Sequence, residues 1–159
     1  MGTQQVLLIV LAVIIVGVAV AVGITMFSTQ SASSNREALK ADLATFTAQA
    51  LAFYKTPAGM AGGGNGNPGF GANTAAAHRT VGRWMGLDAN GKFENDNGFY
   101  YLYHCWGSDR MIFAAWGNEK GQNPSYTNWT APPARRGNVA CYMYIEPTLN
   151  PQFRLGVWN

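Results

Sequence analysis

The residues able to do chemistry in this sequence are few and scattered. Asp88 and Asn90 in the run Asp88-Ala89-Asn90-Gly91 are followed closely by Glu94 and Asp96. Calcium takes six to eight oxygen ligands, and these side chains supply several. The spacing is not that of a helix–loop–helix calcium loop, and the closing glutamate is missing. A hairpin turn with solvated acids therefore competes with a cation site. His78 stands alone, and His104 precedes Cys105. Neighbours on a strand point to opposite faces, so His104 and Cys105 cannot act directly as base and nucleophile. No haem-attachment or zinc-ligand spacing occurs, and structural roles are expected for both histidines. The glycine-rich stretch 59–74 lacks the Gly-Lys-Ser/Thr ending and the strand–loop–helix setting of a phosphate cradle. No catalytic set and no cofactor site is expected, and the chain does not read as an enzyme.

Other residues invite modification or contact. Asn128-Trp129-Thr130 is a glycosylation sequon, and the hydroxyls at 28–34 and 125–130 are possible O-glycan acceptors. Arg135-Arg136 and Arg154, with nearby aromatics, are able to touch a polyanion weakly. The net charge is only +3, so solvated loops are the simpler reading and no specific nucleic acid is expected. Aromatic residues make up 13% of the chain; a small β-domain core accounts for them better than electron conduction. Cys105 and Cys141 permit a single pairing. After an export-type apolar segment, a disulfide is the expectation. It would close a loop of about 37 residues and stabilise a small domain by about 3–4 kcal/mol in the chain-entropy model.

The elements that must carry these residues begin with a long apolar run. Residues 6–24 read VLLIVLAVIIVGVAVAVGI, and the first charged side chain is Arg36. As a helix, 6–24 spans about 28 Å, close to the ~30 Å hydrocarbon core of a bilayer. A cleavable signal would need a basic start, which residues 1–5 lack. A simple anchor would carry Lys or Arg and interfacial Trp or Tyr on its flanks, and neither flank has them. The third reading is a packing helix in a polymer, where Ala12, Gly17, Ala19, Ala21 and Gly23 permit close helix approach. Gly17 and Gly23 are also the weakest helix formers in the run.

Residues 28–35 are polar but hold no Pro or Gly. Beyond them Leu39, Leu43, Phe46, Ala50 and Phe53 recur at spacings of four and three, one face of an amphipathic helix. Pro57 and Gly59 stop it. The reading is one helix from about residue 4 to about residue 55. Its assembly half covers 1–27, and its amphipathic half covers 28–57.

A neutral start, about twenty apolar residues and an amphipathic continuation into a Cys-containing β domain resemble a type IV pilin or a related pseudopilin. Similarity of sequence is concentrated in residues 1–55. The resemblance implies removal of a leader by a prepilin peptidase, with Met1 as the processed, N-methylated residue. It implies an inner-membrane precursor, inner-membrane assembly machinery and a helical homopolymer outside the cell, serving adhesion, motility or surface interaction. Assembly would run through Gln5, Val6, Leu7, Leu8, Ile9 and Leu11, then Ile14, Ile15, Gly17, Gly23 and Phe27. Most members carry glutamate at the fifth mature position; Gln5 accepts a hydrogen bond but brings no charge. The usual proline of the apolar segment is absent. Two alternatives remain: a membrane-anchored extracytoplasmic binding module, and a minor pseudopilin of a type II secretion system.

The remainder, 58–159, reads as a β-rich head. Residues 58–98 hold the αβ-loop, and 106–140 a disulfide-enclosed loop whose 117–138 portion is polar and exposed. Residues 75–85 fit a short helix or an extended segment equally well. Strands are expected at 99–105, 111–116, 139–145 and 153–157 from their aromatic and β-branched content. Asn90-Gly91 and Gly107-Ser108 are turn signals. The expected fold is α+β, a long N-terminal helix packed on a small antiparallel sheet.

Overall fold

The computed structural model describes residues 2–64, 75–104, 111–123, 132–146 and 153–159. Helix α1 (Thr3–Lys55) leads to a 3-10 turn at Ala58–Met60 and helix α2 (Ala75–Met85). Strands β1 (Lys92–Glu94), β2 (Gly98–His104), β3 (Met111–Lys120), β4 (Asn138–Ile145) and β5 (Phe153–Val157) follow, with a 3-10 turn at Pro133–Arg135 before β4. The strands form one sheet in chain order, every neighbouring pair antiparallel. The expected α+β arrangement is therefore present. The chain divides into two compact units, Met1–Ser34 and Asn35–Asn159.

The first unit is helix throughout its described residues from Thr3. Helical geometry continues through Gly17 and Gly23, where an added Cβ would meet nothing within 4 Å. The polar stretch is helical, and hydroxyls at its start turn back onto the helix. Thr25 donates to the Val22 carbonyl (2.8 Å), while Ser28 (3.0 Å) and Thr29 (2.9 Å) donate to that of Thr25. Such bonds satisfy hydroxyls without calling on water.

In the second unit the residues with 3.6 periodicity do what the period demands. Leu39, Leu43, Phe46, Ala50 and Phe53 are buried, and Thr47 joins them. Phe46 stacks on Phe113 (5.8 Å between centroids), leans on Tyr100 (5.3 Å) and meets Phe93 edge-on (5.6 Å). Burying each Leu or Phe contributes about 1.5–3 kcal/mol. The helix ends where Thr56 makes the last bond, to Ala52 (3.0 Å), and Pro57 offers no N–H.

Both faces of the central strand are covered: Met111 through Gly117 are all buried. The α1 face holds Tyr100, Phe113, Ala115, Cys141 and Met143. The opposite face is a smaller cluster of Ala114, Trp116 and Ala140, with Phe99, Tyr101 and Trp158 packed on it. Gly98 and Gly117 stand opposite one another in the β2–β3 register. A Cβ on Gly98 would lie 2.4 Å from the Trp116 carbonyl oxygen and 2.8 Å from Leu39. One on Gly117 would lie 1.8 Å from Asn35 Oδ1. The glycine pair lets α1 approach the sheet closely at Asn35 and Leu39.

Four expectations need correction. Cys141 is a free, buried thiol, not half of a disulfide; Cys105 lies outside the described residues. Cys141 lies on β4, between β3 and β5, and its side chain is fully buried on the face that α1 covers. His104, the end of β2, stands across β3 from Tyr144 rather than from Cys141. Second, among the described residues the sheet has five strands, the extra one being Lys92–Glu94. Third, Asn90-Gly91 does turn, with Gly91 N–H donating to the Asp88 carbonyl (3.0 Å), but it precedes β1; the hairpin into β2 turns at 95–98, with Asn95 and Gly98 bonded backbone to backbone (3.0 and 3.2 Å). Fourth, 117–120 is strand and not loop. Its irregular register is held by Asn138, whose amide donates to the carbonyls of Gly117 (2.8 Å) and Asn118 (3.2 Å).

Candidate functional site

Two features stand out in this fold: a helix surface with no cover, and a polar cluster tying the hairpin to α1. The first is the assembly segment read from the sequence. Val6, Leu7, Leu8, Ile9, Leu11, Ile14 and Ile15 are between 50% and 69% exposed, and Phe27 is 78% exposed. Gln5, Gly17 and Gly23 share this exposure. An 18-residue window has a mean hydropathy of 3.3 and nothing in it is buried. By length and composition this helix is able to cross a membrane. A surface apolar on every side calls for a non-aqueous neighbour, whether lipid or protein.

The second feature centres on Asp42, which sits on α1 between Leu39 and Leu43. Its Oδ2 accepts from Asn95 Nδ2 (3.0 Å), Asn97 Nδ2 (2.9 Å) and the Tyr100 hydroxyl. Asn95 Oδ1 in turn accepts from the backbone N–H groups of Asn97 and Gly98 (3.0 Å each), an Asx turn that shapes the hairpin. Nearer the start of the helix, Asn35 Nδ2 donates to the Asn97 carbonyl (2.8 Å). Burial alone would raise the Asp42 pKa. The three hydrogen bonds outweigh it and hold the carboxyl below its ordinary value. Burial, then the neighbouring Asp42, pushes the Tyr100 hydroxyl well up. The cluster works as a clamp, and Tyr100 stays a donor at any ordinary pH.

The other candidate residues are dispersed. Asp88 Oδ1 caps its own turn, accepting from the N–H groups of Asn90 (2.8 Å) and Lys92 (2.6 Å). Glu94 pairs with Arg135, which also donates to Asn118 and to the Gly117 carbonyl (3.3 Å). Asp96 is exposed. Asp88 and Glu94 line a shallow open depression with Leu87, Lys92, Phe93 and Phe99. Among the described residues no three of His, Cys, Asp and Glu converge on one point. His78 falls in α2 and His104 closes β2. Arg136 and Arg154 are exposed; Arg136 precedes the start of β4, whereas Arg154 pairs with Tyr144 near the other end of that strand. Met1, Asn128 and the hydroxyls of 125–130 lie outside the described residues. Cys141 is fully buried, and burial pushes its pKa up to about 11 against the opposing pull of Lys40 and Arg36. A thiol so placed is a poor nucleophile.

Sequence reasoning missed the clamp. Asp42 was legible only as a residue off the apolar stripe, because its partners lie more than fifty positions away. The Asn-Asp-Asn run at 95–97 was the available signal. No family model, curated protein or solved structure matches this chain.

Proposed function

We propose that this chain is a structural subunit of an extracellular type IV pilus-like filament, polymerising through its N-terminal helix and supporting adhesion, motility or surface interaction. One observation carries the reading. The helix is charge-free before Arg36 and uncovered on every side from residue 6 to residue 27, while the same helix beyond residue 35 is packed on a sheet. Packing many copies side by side would cover that surface with protein, and each Å² of apolar area removed from water contributes about 25 cal/mol. Before assembly, the same segment suits a membrane-held precursor.

The test is electron microscopy and N-terminal mass analysis of material sheared from cells and pelleted without detergent. Filaments built mainly of this chain are expected. Ile14→Lys should abolish them while leaving the circular dichroism of the head unchanged. A second reading, a membrane-anchored extracytoplasmic binding module, is favoured by the absence of any cover over the apolar window. In that case the protein pellets with membranes, needs detergent to leave them and yields no filaments.

A further inference from the structure

The two edges of the sheet are built differently. β1 is three residues long and carries Lys92 and Glu94, the latter tied to Arg135. A short, charged edge discourages pairing. β5 has the opposite character. Its register with β4 sets Phe153, Leu155 and Val157 beside Ile145, Met143 and Cys141. Those β4 residues are at most 2% exposed, whereas Phe153, Leu155 and Val157 are 47%, 41% and 46% exposed. Helix α1 therefore shelters β4 and stops short of β5. The backbone follows the same division. Trp158 N–H donates to the Ala140 carbonyl (2.8 Å). Antiparallel alternation then directs the backbone groups of Gly156 and Arg154 toward β4, and those of Phe153, Leu155 and Val157 outward. Among the described residues nothing pairs with this edge.

We propose that β5 is an interaction edge for β5 of a second copy, paired antiparallel about a two-fold axis through Leu155. The strand is self-complementary in that register. Phe153 faces Val157 of the second copy, and Leu155 faces Leu155, so one face becomes an unbroken apolar floor. Arg154, the only charge on the strand, faces Gly156 of the second copy. That glycine has room for no side chain, since a Cβ there would lie 2.1 Å from the Tyr142 ring. A register centred on Arg154 would set like charges opposite each other, which destabilises a pair. One centred on Gly156 would leave Phe153 without an apolar partner. The contact is isologous, so it closes at two copies. It is independent of how the N-terminal helix is covered, and within a filament it would join one filament to another.

The experiment uses the full chain in detergent micelles, which cover residues 6–27, with molecular mass read by sedimentation equilibrium. The wild type is expected to dimerise with concentration. Leu155→Lys and Leu155→Glu, each checked for a native spectrum, should weaken the dimer at least tenfold alone. An equimolar mixture of the two should restore it, because only this register sets position 155 against itself. Wild type that stays monomeric at every concentration overturns the proposal. So does a mixture that fails to associate, or a dimer that survives in both single variants, which would be held by the N-terminal helices. Filament formation is scored separately on cells, so the two proposals fail separately.

Discussion

Asp42 shows how one carboxylate on the rim of an apolar stripe decides where a hairpin rests. Its oxygen gathers three donors from the Asn95–Tyr100 stretch. Replacing it by alanine leaves those half-buried donors without their shared acceptor and should cost about 1 kcal/mol near neutral pH. The pH dependence has a definite sign. Because the folded pKa lies below the ordinary 3.8, folding favours the ionised form. The contribution is complete above the unfolded value and is lost as the pH falls through the folded one. Thermal melts of the wild type should therefore drop on acidification below roughly pH 4, and drop less steeply in Asp42→Asn. Equal slopes in the two proteins would show that the clamp holds without charge. None of this was legible at residue level, since a hydrogen bond across fifty positions leaves no mark in local periodicity.

At the level of elements, sequence and structure agree wherever a face is buried along a regular period. The stripe from Leu39 to Phe53 is such a case, and so are the apolar parts of β2, β3, β4 and β5. They part company where an element is held by side-chain hydrogen bonds. Lys92-Phe93-Glu94 is too short and too charged to read as a strand, and Gly117–Lys120 has no β character; Arg135 and Asn138 hold that end of the sheet. The cysteine pair misled for a related reason. Counting cysteines gives a pairing, but it does not show that Cys141 is a free thiol buried beneath α1. The glycine pair beneath α1 yields a ranked expectation. Gly98→Ala drives a methyl into the Trp116 backbone carbonyl, which cannot yield, and should cost about 2–3 kcal/mol. Gly117→Ala meets only the end of the Asn35 side chain, which can rotate away, and should cost about 1 kcal/mol. Denaturant midpoints of the two variants would check the order; equal losses would mean that α1 shifts as a body.

For the whole molecule, the distribution of charge along the chain already separates the two units. No charged side chain precedes Arg36, and every ion pair described lies in the second unit. The all-round exposure of residues 6–27 has a consequence for how any contact made through them responds to its surroundings. There is no side-chain charge in it for ions to screen or protons to neutralise. Association through this segment should be indifferent to ionic strength, up to about 1 M salt, and should strengthen in sulfate. It should also weaken on chilling, because the hydration entropy that drives apolar burial fades in the cold. Sedimenting the assembled material across salt and temperature would read both responses. Assemblies that dissolve in salt yet survive on ice would be held together by the charged heads. Assemblies that do the reverse would be cold-labile polymers, set by temperature rather than by the ionic composition of the medium.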